Sequence, residues 1–257
     1  MALRSLSRMS LLLVAALLMP LIVTTFEKPL QFAPHLCVAL VTVLFWEGSF
    51  AILRRKPVSF HGITTALIVC VLIPRDLTLW QLVFALSLGV VLGELVFGGR
   101  GFSFLNAATV TLSLLIFSFP QVELAAPSQT LALATLPGAV MLLAFGLISS
   151  RVLIGCVLGA AAVLASGSHQ IDAVSTLTAL AFGLVFLTAD PLTAAATNPG
   201  RWFYGAFAGG LIVVLSQGAT LNTEAVVFGS LIASIFAPLI DHLVMLTHAR
   251  RRRARHV

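Results

Sequence analysis

The chain has 257 residues, of which 59% are hydrophobic and 9% charged, with a formal net charge of +6 and a mean hydropathy of +1.07. This much apolar surface exceeds what the core of a single soluble domain can enclose, so a globular enzyme free in solution is excluded. Long Ala- and Leu-rich runs without period-two alternation point to an all-α integral membrane protein rather than a barrel.

In chain order, ten apolar runs are expected to form membrane helices: 10–26, 34–53, 61–74, 78–97, 103–119, 130–148, 152–167, 175–189, 202–216 and 224–246. The first follows Arg4 and Arg8 like a secretory signal, but no small-x-small cleavage site precedes Glu27 and Lys28, and it is read as a retained helix. The third stops at Pro74 and the eighth before Asp190-Pro191, and both fall short of the about 20 residues a comfortable crossing takes. Thr65-Ala66-Leu67 aligns with Thr178-Ala179-Leu180, Pro74 with Pro191 and Trp80 with Trp202, so the chain reads as two halves of five helices, approximately 10–119 and 130–246. An odd number per half makes the repeat inverted, and paired short segments point to a site between the halves. One membrane domain, 1–257, is expected, with a basic tail at 247–257.

With the N-terminus inside, the inner loops and ends receive thirteen basic residues: Arg4, Arg8, Arg54, Arg55, Lys56, Arg100, Arg151, Arg201, Arg250 to Arg253 and Arg255. The outer side receives two, Lys28 and Arg75. That asymmetry predicts both termini in the cytoplasm, and the tail reads as an anchor on anionic lipid rather than a nucleic-acid site. Cys37, Cys70 and Cys156 are scattered through the spans without a CxxC pair and read as small buried residues.

Ionisable residues are sparse enough to place individually. Asp190 heads a polar turn, DPLTAAATNPGR, whose Thr193 and Asn198 suit an anionic or ring-bearing ligand, although Asp190 also suits a helix break. Glu94 and Asp241 are expected to pair with loop arginines. Gly98 and Gly99, in FGGRG, offer a flexible turn whose amides point at a carbonyl or phosphate, or else a plain connection between helices. Asp172 and Ser175, at the outer start of the eighth run, read as helix caps. Six histidines invite a bis-His haem, but no two share a helix at ligand spacing.

The strings FGGRGFSFLNAA, FLTADPLTAAATNPGRWFYG and SIFAPLIDH resemble the NqrB/RnfD family of membrane subunits from sodium-pumping NADH:quinone reductase and Rnf complexes. The resemblance covers about 53–242 and implies a urea-transporter-like inverted repeat of ten helices. It implies FMN attached by phosphoester to a threonine in a motif of the form D-x-x-(S/T)-G-A-T, which corresponds here to Asp172, Ser175 and Thr178. Thr176-Leu177 stands where the motif has Gly-Ala, Ala107 stands where a proline usually follows Asn106, and the lysine usual before FGG is missing. A quinone would lie near Gly98 and Gly99, and riboflavin is a further possible flavin. Expected partners are the bilayer, other membrane redox subunits or an extracytoplasmic flavoprotein, and a flavin transferase. The function implied is electron relay within an oxidoreductase complex. The alternatives are a flavin or small-solute transporter on the same fold, suggested by the repeat, and a cofactor-free scaffold.

Overall fold

The computed structural model describes residues 2–27, 29–55, 60–74, 76–126, 128–166, 178, 180–216 and 222–253, and every regular element among them is helical. The helices are α1 (Ala2–Glu27), α2 (Pro29–Arg54), α3 (Gly62–Leu72), α4 (Leu79–Val90), α5 (Ala107–Ser118), α6 (Gln129–Ala144), α7 (Ser150–Ala165), α8 (180–188), α9 (Asn198–Leu215) and α10 (Thr223–Arg253). Helix α4 runs on into a π-turn at Val91–Leu95, and α8 closes with one at Leu184–Thr188.

Among the described residues, three stretches are long and apolar enough to cross a membrane: Met9–Glu27, Phe32–Arg54 and Thr223–Thr247. Several others are shorter than their apolar runs suggest, and polar caps fix where they start. The Asn106 side chain accepts from the Ala108 amide and begins α5 four residues late, and Ser128 accepts from Leu131 at the start of α6. Thr78 and Gln81 form a reciprocal capping box on α4. In the opposite direction, α10 does not stop where the apolar run stops, and its backbone stays helical through Arg253.

Apolar side chains face outward as well as inward: Phe26, Ile52 and Phe117 are each more than four-fifths exposed. In water such a surface would aggregate, whereas in a bilayer it meets hydrocarbon. Cys37 also stands exposed on α2, contrary to its reading as buried, while Cys70 and Cys156 are enclosed.

Within the first half, α3 packs on α1, α2 and α5, and α4 packs on α2 and α5. In the second half α9 packs on α7 and α10, and the π-turn of α8 on α7 and α10. Across the halves, α1 meets α6 and α5 meets α10. The α7–α9 seam is the closest approach: a Cβ at Gly159 would overlap the Ala206 carbonyl oxygen, and one at Gly209 that of Cys156. Small residues are what let two helix backbones come this near.

The two ends of the bundle are fastened differently. At the end carrying Glu27, the segment before α6 is stitched between the halves by main-chain groups: Ala125 N–H donates to the Leu72 carbonyl at 2.9 Å, and the Thr223 hydroxyl donates to the Ala125 carbonyl at 2.7 Å. Glu27 accepts from the Thr130 hydroxyl there at 2.7 Å. The other, basic end gathers Arg54, Arg100, Arg151 and Arg201, tied through Arg54 to the Val96 carbonyl and Arg151 to Asn198.

Candidate functional site

The basic end holds a connected polar network drawn from both halves. Arg100, in the turn between α4 and α5, donates through Nη2 to Asp190 Oδ1 at 3.3 Å and through Nη1 to Thr64 Oγ1 at 3.3 Å, on the first turn of α3. Arg100 and Asp190 side chains are 12% and 8% exposed, so water screens this pair poorly. Thr193 completes the Asp190 carboxylate, donating to Oδ2 at 3.2 Å. Glu47 on α2 caps α3, accepting from the Gly62 amide at 2.8 Å, and the buried His61 ring nitrogen Nδ1 meets the Ser10 hydroxyl. Glu94 is buried in the α4 π-turn, within electrostatic reach of Arg100, Glu47 and Asp190, and accepts a backbone hydrogen bond from Arg100.

One sequence expectation about these carboxylates is corrected, and the other, Glu94 beside a loop arginine, is met through the Arg100 main chain. Asp241 does not pair with an arginine: it accepts from the Ala196 amide at 2.7 Å, the Thr197 amide at 3.0 Å and the Thr197 hydroxyl, pinning the turn before α9 to α10. A carboxylate satisfies free amides at a helix start as well as it satisfies a cation. Glu94 meets the Arg100 main chain, while the Arg100 guanidinium goes to Asp190.

Gly98 and Gly99 have φ of 122° and 95°. The Gly99 amide donates to the Glu94 carbonyl and the Gly98 amide to the Leu95 carbonyl, each at 3.1 Å. These six-to-one and five-to-two bonds form a Schellman cap on the α4 π-turn, so both amides serve the helix end instead of pointing at a ligand. A Cβ on Gly99 or Gly101 would meet nothing within 4 Å, leaving an open face beside the partly exposed Phe97, Phe102 and Phe104.

The break after α8 does not leave its carbonyls stranded either. Asn106 Nδ2 donates to the Phe186 carbonyl at 3.3 Å and Tyr204 Oη to the Thr188 carbonyl at 2.9 Å, while the Thr188 and Ser230 hydroxyls meet at 2.6 Å. A π-turn opens the regular ladder, and here side chains of α5 and α9 take up the freed groups. Tyr204 is fully enclosed and is the one tyrosine of the chain, a signal that its type and number offered in advance. Arg100 was legible only as a topology charge; its partner lies ninety positions away.

At the opposite end, Thr178 is half-buried and helical, beside a narrow space of about 10 Å³, room for roughly one water. Leu72, Leu131, Phe182, Gly183 and Thr223 border that space. Asp172 and Ser175 lie outside the described residues, as does His169. Asn198 sits on the first turn of α9, bound to Arg151 and away from Thr178. The sequence-derived set is therefore split: Asp190, Thr193, Asn198, Gly98 and Gly99 belong to the basic end, and Thr178 to the other. Of the histidines, His35 is engaged with the Leu77 carbonyl at 2.7 Å and His61 with Ser10.

A family model described as NQR2, RnfD, RnfE matches residues 2–126 and 122–249. Among curated relatives, a Na(+)-translocating NADH-quinone reductase subunit of Ectopseudomonas mendocina is 28% identical over 281 residues, covering 88% of this chain and 70% of the relative. The like-named protein of Pseudomonas aeruginosa is 29% identical over 280 residues with the same coverage. That of Yersinia pestis is 26% identical over 283 residues, covering 87% of this chain and 68% of the relative.

Proposed function

Because the chain belongs to the NQR2, RnfD, RnfE family, we propose that it is the flavin-carrying electron-relay subunit of a membrane oxidoreductase complex, with FMN on Thr178 and the acceptor side at the basic end. Family membership carries this reading, and it makes other membrane redox subunits the partners. Helix packing that repeats between the halves, with α1–α6 and α5–α10 as the cross-half contacts, supports an inverted repeat.

The position of Thr178 fits an attached phosphate. Its hydroxyl stands two positions before α8, and the adjoining space of about 10 Å³ leaves the ring of a flavin outside the bundle, where a redox partner can reach it. FMN, when attached, takes two electrons from one partner and releases them singly to another. The chain's own contribution is placement: Thr178 is itself helical and stands two positions before α8, which is clasped at its far end by Asn106 and Tyr204. At the basic end, the open face beside Gly99 and the neighbouring phenylalanines would accept an apolar ring such as a quinone from the bilayer. With that end cytoplasmic, Thr178 lies on the outer side, accessible to an extracytoplasmic flavin transferase.

Intact-protein mass spectrometry after co-expression with a flavin transferase tests the reading. One FMN-sized increment, mapped to the peptide holding Thr178, is expected. Unmodified chain would leave the relay without its carrier and turn attention to flavin uptake by reconstituted vesicles, the transport alternative.

The helical basic run ending α10 fits the headgroups of anionic lipid, each basic residue near such a surface contributing about 1 kcal/mol. Replacing Arg250 to Arg253 by glutamine should deplete phosphatidylglycerol among co-purified lipids and leave the flavin increment unchanged. Equal lipid composition would reject the anchor.

A further inference from the structure

The Arg100–Asp190 pair is the one salt bridge among the described residues, and it joins the turn ending the first half's fourth helix to the break after α8. Through Thr64 the same guanidinium also reaches the first turn of α3. The short helices of the two halves, α3 and α8, are thus held together at the basic end by a single side chain. We propose that this side chain is a latch: Arg100 keeps the basic-end mouth between α3 and α8 shut, and releasing Asp190 opens the seam between the halves to the solution on that side. The inference goes beyond the relay reading and stands whether or not a flavin is attached.

Three observations favour a latch over a passive staple. A buried ion pair is a poor adhesive, since desolvating both charges offsets much of their attraction and an apolar pair of similar volume holds as well. A contact that needs to be made and broken suits such a pair. Next, both arms are built to move. Arg100 lies between Gly99 and Gly101, at φ of 95° and 92° with open space around each, and Asp190 is followed by Pro191 and an irregular turn. The bodies behind them are rigid, locked by the close α7–α9 seam and by Gly89 against Thr111. Third, a second arrangement is at hand. Each arm ends in a π-turn, Val91–Leu95 or Leu184–Thr188, which can pass its surplus residue along and become α-helical. Glu94 lies within electrostatic reach of Arg100 as an alternative acceptor for the guanidinium. Two discrete arrangements of one cation between two carboxylates are what a bistable element requires.

The test uses Thr65→Cys, a near-isosteric change on α3 at a site 3% exposed, in the full-length chain with its native cysteines kept. Membrane-impermeant maleimide is applied from the basic side of oriented vesicles, and labelling at each cysteine is read by peptide mass spectrometry. Arg100→Gln and Asp190→Asn should each raise the labelling rate of the introduced thiol at least tenfold. Cys156, buried in the α7–α9 region away from the latch, should stay protected, and the reciprocal exchange Arg100→Asp with Asp190→Arg should return the rate to within about twofold of the parent. No rise in either single variant would overturn the latch. So would an equal rise at Cys156, which signals general loosening, or a rise that the reciprocal exchange leaves in place.

Discussion

With FMN on Thr178 as proposed, Thr178→Val is expected to remove flavin fluorescence from the chain in a denaturing gel and to leave its abundance in the membrane unchanged. Valine reproduces the branched shape of threonine but has no oxygen to carry a phosphoester, so attachment is lost outright instead of being weakened. The folding cost is small, because a half-buried hydroxyl contributes on the order of 1 kcal/mol. The space beside it, about 10 Å³, already tolerates a methyl-bearing side chain. Thr178→Ser keeps an oxygen at the same place and should retain fluorescence. Signal persisting in the valine variant would move the attachment to another hydroxyl, and equal loss of protein and fluorescence would make Thr178 a folding residue.

Gly209→Ala is expected to cost roughly 1–3 kcal/mol of stability, while the same change one residue on, Gly210→Ala, falls within about 0.5 kcal/mol of the parent. The contrast comes from the α7–α9 seam. A Cβ at Gly209 would intrude on the Cys156 carbonyl oxygen and stand 3.0 Å from the Ala160 amide nitrogen, both main-chain atoms of a neighbouring helix that cannot swing aside. A Cβ at Gly210 meets the Val163 side chain at 3.5 Å, an ordinary contact. Thermal unfolding in one detergent, followed by helical circular dichroism, measures both. Similar midpoints for the two variants would mean the seam is looser than its geometry implies.

The gross architecture was legible because apolar run length and arginine placement are strong, local signals. Runs and helices correspond in order among the described residues, and the segment read as short at Pro74 is α3, of 11 residues, while the start of the eighth segment lies outside the described residues. The boundaries were less legible: Asn106 and Ser128 start helices inside or beside apolar runs, and hydropathy does not register a single capping side chain. The FGGRG turn could be read either as a ligand cradle or as a helix end, and only its hydrogen bonds to Glu94 and Leu95 separate these. The polar network was the least legible part. Asp190 stood out in sequence as an intramembrane carboxylate, but its partner Arg100, the Tyr204 clasp and the Asp241 cap depend on contacts between residues 16 to 90 positions apart. No periodicity encodes those.

The stitch through Ala125 gives the molecule two fasteners of unlike chemistry on its two faces. With the proposed topology, the Ala125 stitch on the face turned to the exterior is made of an amide, two carbonyls and a hydroxyl, none of which gains or loses a proton between acid and alkali or attracts a counter-ion, and Glu27 beside it adds a carboxylate. The face turned to the cell interior is closed by a charged pair. A cell regulates the acidity and salt of its interior more closely than those of the medium outside. The closure made of a charged pair therefore sits on the side where ions are kept steady, and the main-chain stitch through Ala125 on the other side is indifferent to them.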